Sequence, residues 1–245
     1  VSIAARLAEV RARIEAAAAA AGRDPSRVTL VAVSKTKSPE EVREAYAAGQ
    51  RAFGENYAQE LAAKAEALAD LADLEWHFIG HLQTNKAKLV AKLARVVHTI
   101  DSVALARELG KRAAARHVPG SAGAWSIPSV ERQLSVLLEV NVAGEAQKAG
   151  VSPGDIAEVM RAVQEQPSLA LRGLMTVPPA GDLGAARRAF ETLVTLRNLH
   201  GGEGVLPELS MGMTADLEVA IACGATMVRV GTAIFGARVQ GTPKP

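Results

Sequence analysis

Short apolar, β-branched runs alternate with runs of helical period along most of this chain. That alternation constrains the fold more than any single motif. Val28–Ser34 (VTLVAVS) has the unbroken apolar pattern of a strand buried on both faces. Ser38-Pro39-Glu40-Glu41 then opens a helix: Ser38 caps it, Pro39 takes the first helical position, Glu41 closes a capping box, and Gly49 stops it. The strand series continues with Ala52–Gly54, Glu75–Ile79, Val96–Ile100, Ser135–Val140, Leu171–Thr176, Glu208–Ser210 and Met227–Val230. Helices are expected over about 57–69, 84–93 and 103–116, from Ser152 onward, and over about 183–199, 214–223 and 232–238.

Ile3, Leu7, Val10 and Ile14, with the alanine run to Ala21, add a leading amphipathic helix that stops at Gly22. Strands alternating with helices imply parallel pairing through right-handed crossovers. Eight such units in about 210 residues predict an α/β fold, a closed (β/α)8 barrel of TIM type with an extra N-terminal helix. The expected organisation is one domain over residues 1–245, with residues 1–22 as the leading helix. An open doubly wound sheet satisfies the same alternation, but no Gly-x-Gly-x-x-Gly follows the first strand, which weakens its dinucleotide-binding form. His117–Gln133 (HVPGSAGAWSIPSVERQ) breaks the rhythm and reads as a long surface loop before the fifth strand, with Trp125 available to pin it.

Composition removes several classes of function. Lys plus Arg is 28 and Asp plus Glu is 26, a net charge of +2, and aromatic residues are only 3%. Neither a basic field nor a stacking platform for nucleic acid is present. The one cysteine, Cys223, allows no intramolecular disulfide and no CxxC zinc site, and it fits a reducing, cytoplasmic setting. No apolar run reaches the ~18–20 residues of a membrane span, and the first residues do not look like a signal peptide. The histidines show no metal-ligand spacing with one another or with Cys223.

Barrel chemistry sits at the C-terminal ends of the strands. Lys35 follows the first strand there, where an amine with its stem in an apolar wall becomes a nucleophile; a rim lysine reaching solvent is the other reading. Gly231-Thr232 ends the eighth strand and offers two backbone N–H groups and a hydroxyl to an anion, unless it is an ordinary tight turn. Ser210, at the end of the seventh strand, adds a third donor. Arg229 alternates inward and must be paired, either structurally or with a ligand. His81 in Gly80-His81-Leu82-Gln83 is a general base or a structural histidine. There is no Gly-x-Ser-x-Gly elbow and no Walker loop.

VAVSKTK, FGENYAQE, WHFIGHLQTNK, HTIDS, VLLEVN, GLMTVPP, LSMGMTADLEVAI and MVRVGTAIFGAR, in this order from about residue 28 to 238, resemble the pyridoxal-phosphate homeostasis protein family. That family is similar to the N-terminal barrel of alanine racemase, the fold type III barrel. The resemblance implies pyridoxal 5'-phosphate (PLP) held as a Schiff base on Lys35, with Ser210, Gly231 and Thr232 at its phosphate, Arg229 facing the pyridine nitrogen and Asn56 near the cofactor. The loop over 117–133 looks longer than the family pattern.

The function so implied is storage, buffering or delivery of PLP, with apo-forms of PLP-dependent enzymes as possible recipients and a monomer as the expected state. An amino-acid racemase is the alternative. An arginine at the pyridine nitrogen keeps it unprotonated and makes the ring a weak electron sink. Two-base racemization also needs an acid/base opposite Lys35; Tyr46 and Tyr57 lie in predicted helices, and few residues follow Arg238. On physics alone, an aldolase using Lys35 on a sugar phosphate also fits. Lys37 and Lys148 are expected on the same barrel face, as solvated lysines or as aids to cofactor transfer.

Overall fold

The structure is a computed structural model that describes residues 1–115, 133–144 and 149–237. Eight strands are present: β1 Thr29–Val33, β2 Ala52–Glu55, β3 Glu75–Phe78, β4 Val96–Ile100, β5 Leu134–Glu139, β6 Leu169–Met175, β7 Glu208–Ser210 and β8 Met227–Val230. Each pairs in parallel with the next, and β8 returns to β1 in register from Thr29↔Met227 to Ala32↔Val230, closing the barrel. The open-sheet reading is thereby overturned.

The described shell includes α1 Ile3–Ala20, α2 Pro39–Ala47, α3 Ala58–Ala67, α4 Ala87–Leu93, α5 Val103–Ala114, α6 Ile156–Gln164, α7 Leu183–Leu199, α8 Leu217–Ala222 and the single turn α9 Thr232–Phe235, with a further turn over Gly202–Val205. Local chemistry accounts for their starts. Ser38 and Glu41 exchange side-chain and backbone hydrogen bonds in the expected capping box, while Ser2, Ser102 and Asp182 cap α1, α5 and α7. Three predicted helices begin later than expected, the one read from Ser152 starting only at Ile156. Residues Thr84–Lys86 form a 3₁₀ turn ahead of α4. Asp216 accepts the Met213 amide at 2.6 Å, so residues 213–216 form a turn and α8 starts only at Leu217.

The last shell element, α9, has only four residues. The leading helix compensates: its buried stripe Ile3, Leu7, Val10, Ile14 and Ala18 packs beside α2, α8 and α9, covering the β8–β1 seam. Inside the barrel, space is tight. A Cβ on Gly54 would meet Ile79 at 3.0 Å and Val31 at 3.1 Å. The expected loop over 117–133 lies, apart from Gln133, outside the described residues, as do Trp125 and Lys148.

Candidate functional site

β1 ends at the barrel mouth in the turn Ser34–Lys37, closed by the Lys37 amide donating to the Ser34 carbonyl at 3.0 Å. Thr36 has φ 64°, the one non-glycine residue with positive φ among those described. Lys35, half-buried, lines a pocket of about 390 Å³ with Val33, Asn56, Ile79, Arg229, Gly231 and Thr232, and residues 213–215 form its far side. Five of the six predicted site residues therefore share one cavity. Asn56 follows β2, and its backbone crosses so close to Gly80 that a Cβ there would lie 2.1 Å from the Asn56 carbonyl oxygen; only glycine fits. The Asn56 side-chain oxygen is buried without a hydrogen-bond partner.

Ser210, the sixth, sits beneath the pocket rather than on its wall. It is fully buried, and its hydroxyl accepts from Arg229 Nη1 at 2.6 Å and meets His98 Nδ1 at 2.9 Å. Arg229 Nη2 donates to the Thr176 carbonyl at 2.9 Å. Burial lowers the Arg229 pKa to about 10, opposed by the negative charge of Glu139 and Asp216. A guanidinium with that pKa stays charged at neutral pH, so the pocket floor carries a fixed cation. Behind it, His98 Nε2 lies 2.9 Å from His77 Nδ1, and burial pulls both histidines down in pKa, His77 to about 4.

The opposite wall is a donor surface. Thr232 is exposed at the rim, and its amide and that of Ala233 enter no backbone hydrogen bond among the described residues, whereas the Ile234 and Phe235 amides turn back to the Gly231 carbonyl. A Cβ on Gly231 would press on the Val33 carbonyl at 3.1 Å. The carbonyl ends of this turn are held from outside by cations: Arg6 Nε donates to the Ile234 carbonyl at 2.6 Å and Lys37 Nζ to the Phe235 carbonyl at 3.0 Å. Lys37 is thus a structural tie between two pocket turns, not a solvated lysine. Arg13 Nη2 likewise donates to the Thr214 carbonyl at 2.9 Å.

Other candidates fall elsewhere. His81 is largely exposed, 3.3 Å from Asp101, and lines a neighbouring cavity with Glu139 and Asn141. Burial and Asp101 raise the Glu139 pKa. The Tyr46 hydroxyl is hydrogen-bonded to Asp73 on the surface, and Tyr57 precedes α3 outside the Lys35 pocket. Among the described residues no group of three His, Cys, Asp or Glu is placed to hold a metal. Sequence reasoning missed Thr214 as a lining residue, because the LSMGMTADLEVAI segment reads as a helix from Thr214; the Asp216–Met213 turn instead turns it to the pocket.

Comparison with known proteins follows the same lines. A sequence model of the alanine racemase N-terminal domain matches residues 5–239. The pyridoxal phosphate homeostasis protein of Pseudomonas aeruginosa is 48% identical over 244 residues, 99% of this chain and 98% of that protein. Its counterpart in Escherichia coli strain K12 is 43% identical over 241 residues, 96% and 97% of the two chains. The solved structure of PipY from Synechococcus elongatus with PLP bound superposes with a TM-score of 0.75 at 35% identity, over 96% of this chain and all of that one. Alanine racemase from Corynebacterium glutamicum shares the fold, with a TM-score of 0.63 at 18% identity over 97% of this chain and 64% of its own.

Proposed function

Because this chain belongs to the pyridoxal phosphate homeostasis protein family, we propose that it binds pyridoxal 5'-phosphate in the Lys35 pocket and holds, buffers or delivers it within the cell. The observation that carries this reading is the convergence of Lys35, Asn56, Arg229, Gly231 and Thr232, from three separate strands, on one cavity.

The residues fit the group. Pyridoxal phosphate brings an aldehyde that condenses reversibly with primary amines, a pyridine nitrogen that accepts a hydrogen bond, and a phosphate dianion. Lys35 supplies the amine as covalent anchor. The unpaired amides of Thr232 and Ala233 and the Thr232 hydroxyl supply neutral donors for the phosphate, and Arg229 supplies a donor that keeps its own proton. The buried, unpartnered Asn56 oxygen calls for a donor from a ligand. Ser210 acts through Arg229, orienting it and leaving its charge directed upward.

The racemase alternative is not favoured. Arg229 cannot lend a proton to the ring, and no tyrosine lines the pocket among the described residues. A monomer is the state this reading implies, and apo-forms of PLP-dependent enzymes are its recipients. No described helix is long and apolar enough to cross a membrane.

The test is spectroscopic. Purified protein incubated with PLP should develop a visible band, and borohydride should fix a pyridoxyl mass on the peptide containing Lys35. A protein that stays colourless, or a label on another residue, overturns the assignment.

A further inference from the structure

We propose that Lys64, together with Glu55 and Glu60, is a positioning residue that clamps the peptide groups on either side of Lys35 and so aims the Lys35 amine into the pocket. The inference rests on the reading of Lys35 as the covalent anchor, and it concerns three residues that do not line that cavity.

Lys64 lies on α3 and is nearly completely buried, 3% exposed. Its ammonium has three donors, and all three are used: on the Ser34 carbonyl at 2.5 Å, Glu55 Oε1 at 2.7 Å and Glu60 Oε1 at 2.7 Å. The same Glu60 oxygen accepts the Thr36 amide at 2.5 Å. The Ser34 hydroxyl donates to Glu55 Oε1 at 2.6 Å. The residue before Lys35 and the residue after it are therefore both fastened to one ionic cluster. Lys37, one step further, is fastened to the turn at Phe235.

Backbone conformation shows why a clamp is needed. Thr36 is β-branched and sits at φ 64°, where such side chains crowd their own backbone. Released, the turn would relax toward ordinary dihedrals and swing the Lys35 side chain. Energetics point the same way. Burying three ionizable groups is costly, and an apolar trio would serve bulk stability as well. Two carboxylate oxygens of the cluster, Glu55 Oε2 and Glu60 Oε2, remain buried without a partner. What the cluster supplies that apolar side chains cannot is a donor to one flanking peptide and an acceptor for the other.

Positioning of an amine affects covalent capture far more than retention of the phosphate. The experiment separates the two with PLP and with pyridoxine 5'-phosphate, which carries a hydroxymethyl group in place of the aldehyde. In Lys64→Met and in Glu60→Ala, growth of the visible band on mixing with PLP should slow by roughly tenfold to a hundredfold, the scale of a small misalignment of a reacting group. Affinity for pyridoxine 5'-phosphate should stay within about threefold. Capture at the wild-type rate in both variants overturns the proposal, as does a fall in pyridoxine 5'-phosphate affinity by the same factor as capture. Should Lys64→Met fail to fold, Glu60→Ala decides, since Glu60 sits at the partly exposed edge of the cluster. The arms also separate this proposal from its premise. A wild-type protein that captures no PLP overturns the function; capture lost in Lys35→Ala but unchanged in Lys64→Met and Glu60→Ala overturns only the clamp.

Discussion

Two hydroxyls that look alike in sequence behave differently once placed. Thr232 stands at the pocket rim, so Thr232→Ala should weaken PLP retention by about 1.5–3 kcal/mol, roughly ten- to a hundredfold, with unfolding in urea nearly unchanged. Ser210 instead holds a buried guanidinium, so Ser210→Ala should cost about 1–3 kcal/mol of folding stability by leaving Arg229 short of an acceptor. PLP titration and urea unfolding of both variants check the contrast. Spacing alone puts Ser210 at a strand end, the right address for a ligand contact; that Arg229 and His98 had already taken its hydroxyl is a three-dimensional fact. Glu55 illustrates the same limit: it is an unremarkable acidic letter in FGEN, yet burial raises its pKa from 4.5 to about 7, against the pull of Lys64. Its folded form keeps a proton that the unfolded chain has lost, so its contribution to stability is present below about pH 4.5 and is lost as pH rises toward 7. The stability difference between wild type and Glu55→Gln should therefore shift by at most about 3 kcal/mol against wild type between pH 4.5 and 7.5, read by urea unfolding across that range.

At the scale of elements, α1 does more than cover a seam. Arg6 and Arg13 reach from it to the carbonyls of Ile234 and Thr214, one in each turn facing the pocket, and Arg13 also pairs with Glu218 at 2.7 Å. Replacing both arginines with methionine should keep the helical circular dichroism while loosening PLP by about 1 kcal/mol, roughly fivefold, through softened turns. An unchanged affinity would confine α1 to packing. The existence and apolar face of α1 were legible from Ile3, Leu7, Val10 and Ile14. Its partners were not, because two arginines among many carry no address. The α8 start was misread for a related reason: Thr214-Ala215-Asp216 has good helical letters, and only the Asp216 bond to Met213 reveals a turn.

For the whole molecule, barrel closure and the strand-end location of the candidate site followed from alternation, since eight parallel crossover units leave few other arrangements. The ionic clamp under Lys35 did not, because only the fold brings Glu55 and Glu60 around the Lys64 ammonium. The described barrel offers no tyrosine opposite Lys35, so alanine racemization should run far below the roughly 1 s⁻¹ that marks the lower end of ordinary enzymes. Deuterium exchange at Cα of alanine, followed by NMR, measures it. The meeting of α1, β1 and α9 has one more effect, on timing. The turn at Gly231–Thr232, where we propose that the phosphate sits, hangs on a strand that pairs with β1 and on carbonyls gripped by Arg6 and Lys37, so the earliest and latest parts of the described chain complete one another. During synthesis the ribosome must release nearly all of these residues before that wall exists, and a nascent chain, though it already displays Lys35, has no finished place to keep the cofactor.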